Sequence, residues 1–167
     1  MKQVKFTQMK DGDKEDYILL KKYEDTFSAD TSKRIMTTLK NLDKSLGGYQ
    51  VSRLEHSLQT ATRAFNDGAS EEMVVASLLH DIGDELAPQN HSEFAASIIR
   101  PYVSEKTTWI VEKHGIFQMY YYAHHYDHNK DQRDKYRGHK YFSDCANFCE
   151  KWDQASFDPS YKTIPLK

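Results

Sequence analysis

Residues 79–84 read Leu79-His80-Asp81-Ile82-Gly83-Asp84. A histidine and an aspartate stand side by side at the end of an apolar run, so one short piece of backbone offers an imidazole nitrogen and a carboxylate. Two metal ions can share such a carboxylate while one of them also takes the imidazole. Upstream, Met73, Val74, Ala76, Ser77, Leu78 and Leu79 follow Ser70, an N-cap candidate. They predict a helix that is apolar on nearly every side and therefore belongs at the centre of a fold. Gly83 then bends the chain into a loop over 84–90.

The rest of the chain carries helical signals on both sides of this stretch. A first helix is expected over about Lys14 to Phe27. Asp30-Thr31-Ser32 offers cap oxygens for a second, in which Ile35, Met36, Leu39, Leu42 and Leu46 keep helical spacing until Gly47-Gly48. Ser52-Arg53-Leu54-Glu55 has the capping-box pattern and opens a helix through His56 to Gly68. Asn90 or His91 starts a helix that stops near Pro101. Ser104 caps another, ending at His114-Gly115, and a separate aromatic helix is expected over Phe117 to His125. The charged segment Asp127 to His139 reads as turns, and Ser143 caps a final helix through Trp152 to Asp153. With no alternating pattern and no linker, the chain reads as one all-α domain over 1–167, with a frayed lead-in over 1–13 and an irregular tail over 159–167.

Charge narrows the partners. Lys and Arg number 23 against 25 Asp and Glu, so a net charge of -2 provides no global field for nucleic acid or an anionic membrane. A small-molecule partner is expected instead. Cys145 and Cys149, four apart, lack the spacing of a zinc or redox site and read as structural thiols in a reducing, cytoplasmic setting. No apolar run approaches the length of a membrane span. The 11 tyrosines, concentrated after residue 116, suggest a lined pocket.

Six residues carry metal-ligand chemistry at helix ends or on apolar faces: His56, His80, Asp81, His91, His114 and Asp153. Any one alone is more often a hydrogen-bonded core or half-exposed residue. Together they come from four helices and one loop, and the His56–His80 and His91–His114 intervals are nearly equal, as two helical hairpins approaching one centre would require. His124, His125, His128 and His139 read as solvated, and the alternating charges from Lys130 to Lys135 as a solvated face.

The series His56, His80-Asp81, Asp153 resembles the signature of the HD-domain superfamily of helical metalloproteins, and His91 and His114 resemble the extra histidines of its two-metal members. Leu54-Glu55-His56-Ser57-Leu58-Gln59-Thr60-Ala61 is similar to the first-ligand helix of the mixed-valent diiron HD oxygenases, of the phosphonate-cleaving 2-amino-1-hydroxyethylphosphonate dioxygenase type. That resemblance implies an HD-domain helical bundle with the metal site at its centre. It implies one iron on His56, His80, Asp81 and Asp153 and a second on Asp81, His91 and His114, with Asp81 bridging. An Fe(II)/Fe(III) pair would use O2 as co-substrate to cleave the C–P bond of a small, anionic 1-hydroxyalkylphosphonate and release phosphate.

The positions where that family carries a Tyr and a Glu before the first ligand are Leu46 and Tyr49 here, and its phosphonate-reading Lys and Arg are Gln118 and Glu150. Tyr49 is therefore expected to cap the second iron or meet substrate. Gln118, Arg133 and Arg137 are candidate substrate contacts, with Arg53, Lys113, Lys140 and Lys151 as further cations. Asp84 and Glu85 are expected to hydrogen-bond a ligand histidine from behind. The rival function is an HD-type metal-dependent phosphohydrolase acting on a nucleotide or phosphate ester through a metal-activated water.

Overall fold

Side-chain oxygens of Asp13, Ser52, Ser70 and Ser104 each accept a backbone N–H three residues on and so set the starts of four helices. In a computed structural model, which describes residues 2–166, all regular structure among the described residues is helical. The helices are α1 (Lys14–Ala29), α2 (Thr31–Asn41), α3 (Arg53–Asn66), α4 (Glu71–Leu79), α5 (His91–Ile99), α6 (Glu105–Tyr122) and α7 (Phe142–Phe148). The last runs on as a π-helical turn, Cys149–Asp153. No helix among the described residues is long and apolar enough to cross a membrane.

Contacts divide the chain into two compact units, Met1–Thr38 and Leu39–Lys167. In the first unit α1 has a single buried residue, Asp16, so it adds little apolar surface to any core. Its lead-in is not frayed. The Lys5 N–H donates to Asp16 (3.1 Å), the Tyr17 hydroxyl donates to the Met9 carbonyl, and the Phe6 and Tyr17 rings stack at 5.6 Å.

The second unit carries the core. Leu39, Leu42, Ile82, Ile110, Val111, Phe117 and Phe148 are all sealed from solvent. α3 packs on α4 and α5 packs on α6, giving the two hairpins that the ligand spacing predicts. Leu46, expected on the apolar stripe of the second helix, lies beyond its end and is exposed, because the helix tightens into a 3-10 turn over Leu42–Lys44. Ser52 caps α3 as expected, but Glu55 makes no return bond, so half of the capping box forms.

The clearest departure from expectation is α6, which runs unbroken for 18 residues through Gly115. An interior glycine costs a helix about 1 kcal/mol relative to alanine, and its presence suggests a terminus. Here it serves packing. A Cβ on Gly115 would lie 2.6 Å from Ser92 Oγ on α5 and 3.7 Å from the His91 ring. The helix therefore keeps its hydrogen bonds, and the missing side chain lets α5 close on it.

α7 lies on α6 through the thiols, which donate to the Ile110 carbonyl (Cys145, 3.6 Å) and the His114 carbonyl (Cys149, 3.6 Å). Both cysteines are buried, as structural thiols should be. Tyr141, not Ser143, precedes α7, and it makes no side-chain cap bond. The irregular tail is held to α3: Gln59 donates to the Asp158 carbonyl (2.8 Å) and accepts from its N–H (3.3 Å), and the Ile164 N–H donates to Thr62 (3.0 Å).

Candidate metal centre

His56 lies in the first turns of α3, His80 and Asp81 follow the last residue of α4, His91 opens α5, His114 lies inside α6, and Asp153 closes the π-helical turn. A π-helical turn shifts side-chain direction relative to an α-helix, and this one delivers Asp153 as a buried carboxylate. The six side chains meet. His56 Nε2 and His80 Nε2 are 3.1 Å apart, each is 3.1 Å from Asp81 Oδ2, and Asp153 Oδ1 lies 3.3 and 3.6 Å from them. The other oxygen of Asp81, Oδ1, lies 3.1 Å from His114 Nε2 and 3.4 Å from His91 Nε2.

These spacings suit metal ligation. Neighbouring ligand atoms roughly 2.1 Å from one ion are about 3 Å apart when they subtend near-right angles. The imidazoles are also oriented for it. His56, His80 and His114 each direct Nδ1 at a backbone carbonyl, of Ser156 (2.9 Å), Ser77 (2.7 Å) and Val111 (2.6 Å). Donation there leaves the Nε2 lone pairs facing the cluster, the arrangement by which backbone groups fix a metal-binding tautomer. Two Nε2 lone pairs at 3.1 Å repel unless a cation lies between them. Asp153 Oδ2 is buried without a hydrogen-bond partner, a further sign that the site is built for a group beyond the protein's own atoms.

The electrostatics agree. Burial pushes the Asp81 carboxyl up, but His80, the Arg53 guanidinium and hydrogen bonds from His114 and His56 outweigh it and hold the group well below the usual carboxylate range. Asp153 is likewise held low against burial, by His80 and His56. His56 and His80 are raised despite burial because these carboxylates face them. His91 is lowered, first by burial and also by the neighbouring His114, against the pull of Asp81 and Asp84. The cluster is thus two ionised carboxylates ringed by four imidazoles, a field that favours positive charge at its centre.

Around it opens a cleft of about 890 Å³, within the range of small-ligand sites. Tyr49 and Gln118 line it, as does Phe157, which no motif in the sequence marks. Phe157 stacks on the His56 ring at 4.3 Å and on Tyr49 at 5.0 Å, so a three-ring stack runs from the cluster outward. Tyr49 is half exposed and forms the outer ring of that stack. The buried Oε1 of Gln118 has no partner. Tyr121 and Tyr122 from the expected aromatic helix, and Tyr126 just after it, also line the cleft.

Two expected substrate contacts do not line it. Arg133 stacks on Tyr120, its guanidinium 3.6 Å from the ring centroid, and Arg137 pairs with Asp134 at 3.0 Å. Both lie on the turn segment after α6, whose charges serve local pairing. Asp84 is a neighbour of the site but in another role. Its carboxylate takes the Arg53 Nε–H at 2.6 Å and lies 3.8 Å from His91 Nδ1, while Glu85 is exposed. Arg53 also donates Nη2–H to Asp81 Oδ2. One signal marks it in the sequence: it stands three residues before His56 and therefore on the same helix face.

Residues 53–153 match the family described as HD domain. Over an alignment of 89 positions, which covers 47% of this chain, it is 32% identical to the [1-hydroxy-2-(trimethylamino)ethyl]phosphonate dioxygenase (glycine-betaine-forming) of Leisingera caerulea. The alignment spans 45% of that relative's length.

Proposed function

Because the chain belongs to the HD domain family, we propose that it is an O2-dependent diiron oxygenase that cleaves the C–P bond of a small 1-hydroxyalkylphosphonate. The products would be a carboxylate and inorganic phosphate, which together account for both atoms of O2. One observation carries the dinuclear reading: the two oxygens of Asp81 face different histidine pairs, Oδ2 towards His56 and His80 and Oδ1 towards His91 and His114. A single ion needs one of those oxygens; two ions use both. The phosphonate dioxygenase similarity supports the choice of chemistry.

His56, His80, Asp81 and Asp153 would hold one ion and Asp81, His91 and His114 the other. When bound, the pair would supply the redox capacity for O2 and open positions for the substrate's hydroxyl and phosphonate oxygens. The protein's own groups do the rest. Backbone carbonyls behind His56, His80 and His114 keep those rings from turning. Phe157 covers the His56 face and excludes water from that side. Gln118 Oε1 offers an acceptor for a donor group on the substrate.

The test is to purify the protein without added metal, count iron, and follow O2 uptake and phosphate release with a series of 1-hydroxyalkylphosphonates. Two irons, a mixed-valent EPR signal that changes on adding substrate, and coupled O2 uptake and phosphate release are expected. Hydrolysis of a nucleotide or phosphate ester with Mn2+ or Mg2+ and no O2 uptake would overturn the proposal in favour of a phosphohydrolase.

A further inference from the structure

The phosphonate oxygens not taken by the metal ions call for a side-chain cation, and the positions four after His114 and three before Asp153 are Gln118 and Glu150. Of the six basic residues that the sequence offers for the role, five are occupied or remote. Lys113 pairs with Glu112 (2.6 Å), Arg133 lies on Tyr120, Arg137 pairs with Asp134, Lys140 pairs with Glu105 (3.1 Å), and Lys151 is exposed and away from the cleft lining. Arg53 alone of the six lines the cleft, and it is 7% exposed. Among the described residues, the other lysine or arginine in the lining is Lys44, which is exposed.

We propose that Arg53 grips the anionic group of the substrate while clamping Asp81, an inference that rests on the cleft being the site for a phosphonate or a like oxyanion. The guanidinium has five N–H donors in one plane. Its side-on edge is committed, Nε–H to Asp84 (2.6 Å) and Nη2–H to Asp81 Oδ2. Nη1 has no partner among the described residues and is not sealed from solvent, so the end-on edge, Nη1 with the remaining Nη2–H, is left for a ligand. That edge suits a tetrahedral oxyanion, which accepts two parallel N–H bonds.

The plane is held from several directions. Two carboxylates fix one edge, and the guanidinium lies 5.4 Å from the Tyr49 centroid and 6.0 Å from that of Phe157. The carboxylate oxygen it holds is the same Asp81 Oδ2 that lies 3.1 Å from both His56 and His80. An oxyanion accepting from the end-on edge therefore lies beside the metal-ligand atoms. Phosphonate recognition would thus come from the first turn of α3 rather than from α6 and the final helix.

The experiment uses inorganic phosphate and hydroxymethylphosphonate as probes, titrated calorimetrically into protein loaded with Zn2+, so that anion binding is read without any oxygenase turnover. Arg53→Lys keeps a cation beside Asp81 but lacks the fork, and Arg53→Met removes the charge. At equal metal content, both variants are expected to bind phosphate at least about tenfold more weakly than the parent, the low end for a hydrogen bond to a charged group. Either variant binding phosphate within about twofold of the parent overturns the proposal and leaves Arg53 as a clamp. If a variant loses metal or fails to fold, side-chain NMR of the unaltered protein decides. Phosphate should then shift the Arg53 Nη resonances, and phosphate binding that leaves them unmoved, or no phosphate binding at all, refutes the assignment. Failure of the oxygenase reading would appear instead in the iron and O2 measurements.

Discussion

Gly83→Ala is the substitution that separates the two halves of the centre. A Cβ at Gly83 would lie 2.7 Å from the His91 carbonyl oxygen, 2.8 Å from its Cα and 3.1 Å from its carbonyl carbon. All three are backbone atoms, so no rotamer change relieves the contact. Restoring ordinary van der Waals separation requires a shift of about 0.7 Å. Ile82, the preceding residue, is sealed in the core, whereas His91 is the first residue of α5 after a loop and is partly exposed. His91 should therefore move. Metal–ligand distances tolerate about 0.2 Å, so the shift exceeds what a bound ion accepts at the Asp81–His91–His114 side. Loss of one well-placed ligand orientation should weaken the second ion about 10- to 100-fold, and overpacking should cost about 1–3 kcal/mol of stability. At about 2–4 °C per kcal/mol, melting should fall by several degrees. Metal titration followed by elemental analysis reads the first effect and thermal melting the second. A Gly83→Ala protein that holds two metals with unchanged affinity would refute the reasoning that this glycine exists to admit His91.

Three further outcomes are expected. His91→Ala and His114→Ala should each bind one metal per chain instead of two, measured by elemental analysis, and keep a helical circular-dichroism spectrum; two retained metals would mean that the second ion is not held by that histidine. Gly115→Ala should destabilise the protein in thermal melts by about 1–3 kcal/mol through the contact with Ser92 Oγ. Adding Ser92→Ala should recover that loss and expose the helix-propensity gain of about 1 kcal/mol, so a double variant no more stable than the single one would exclude the packing explanation. Metal at 100 times its dissociation constant should stabilise the fold by about 2.7 kcal/mol, and a chelator should reverse the rise in melting temperature; identical melting with and without metal would exclude a metal site at the cluster.

Much of the fold was readable along the chain because helix starts are local events. Ser52, Ser70 and Ser104 cap the helices that their spacing predicts, and a serine three residues ahead of a backbone N–H needs no distant partner to do so. Gly115 was misleading for the complementary reason. Its effect on helix propensity is local and argues for a terminus, whereas its use, admitting Ser92 and His91 of another helix, is visible only when α5 and α6 are packed. The lead-in shows the same limit, since a polar segment without period looks frayed until Asp16 and Tyr17 are seen to hold it.

The sequence by itself determined the donor types of the centre and their order along the chain, because imidazoles and carboxylates at helix ends carry their chemistry with them. Tertiary structure decided which oxygen of Asp81 faces which histidines, since that depends on how two hairpins cross at one carboxylate. It also decided which cation reaches the cleft. Arg133 and Arg137 look as suitable as Arg53 in composition, but Arg133 stacks on Tyr120 and Arg137 pairs with Asp134, and only packing turns Arg53 towards Asp81 and Asp84. Residue type is a local property; the direction in which a long side chain is aimed depends on everything packed around it.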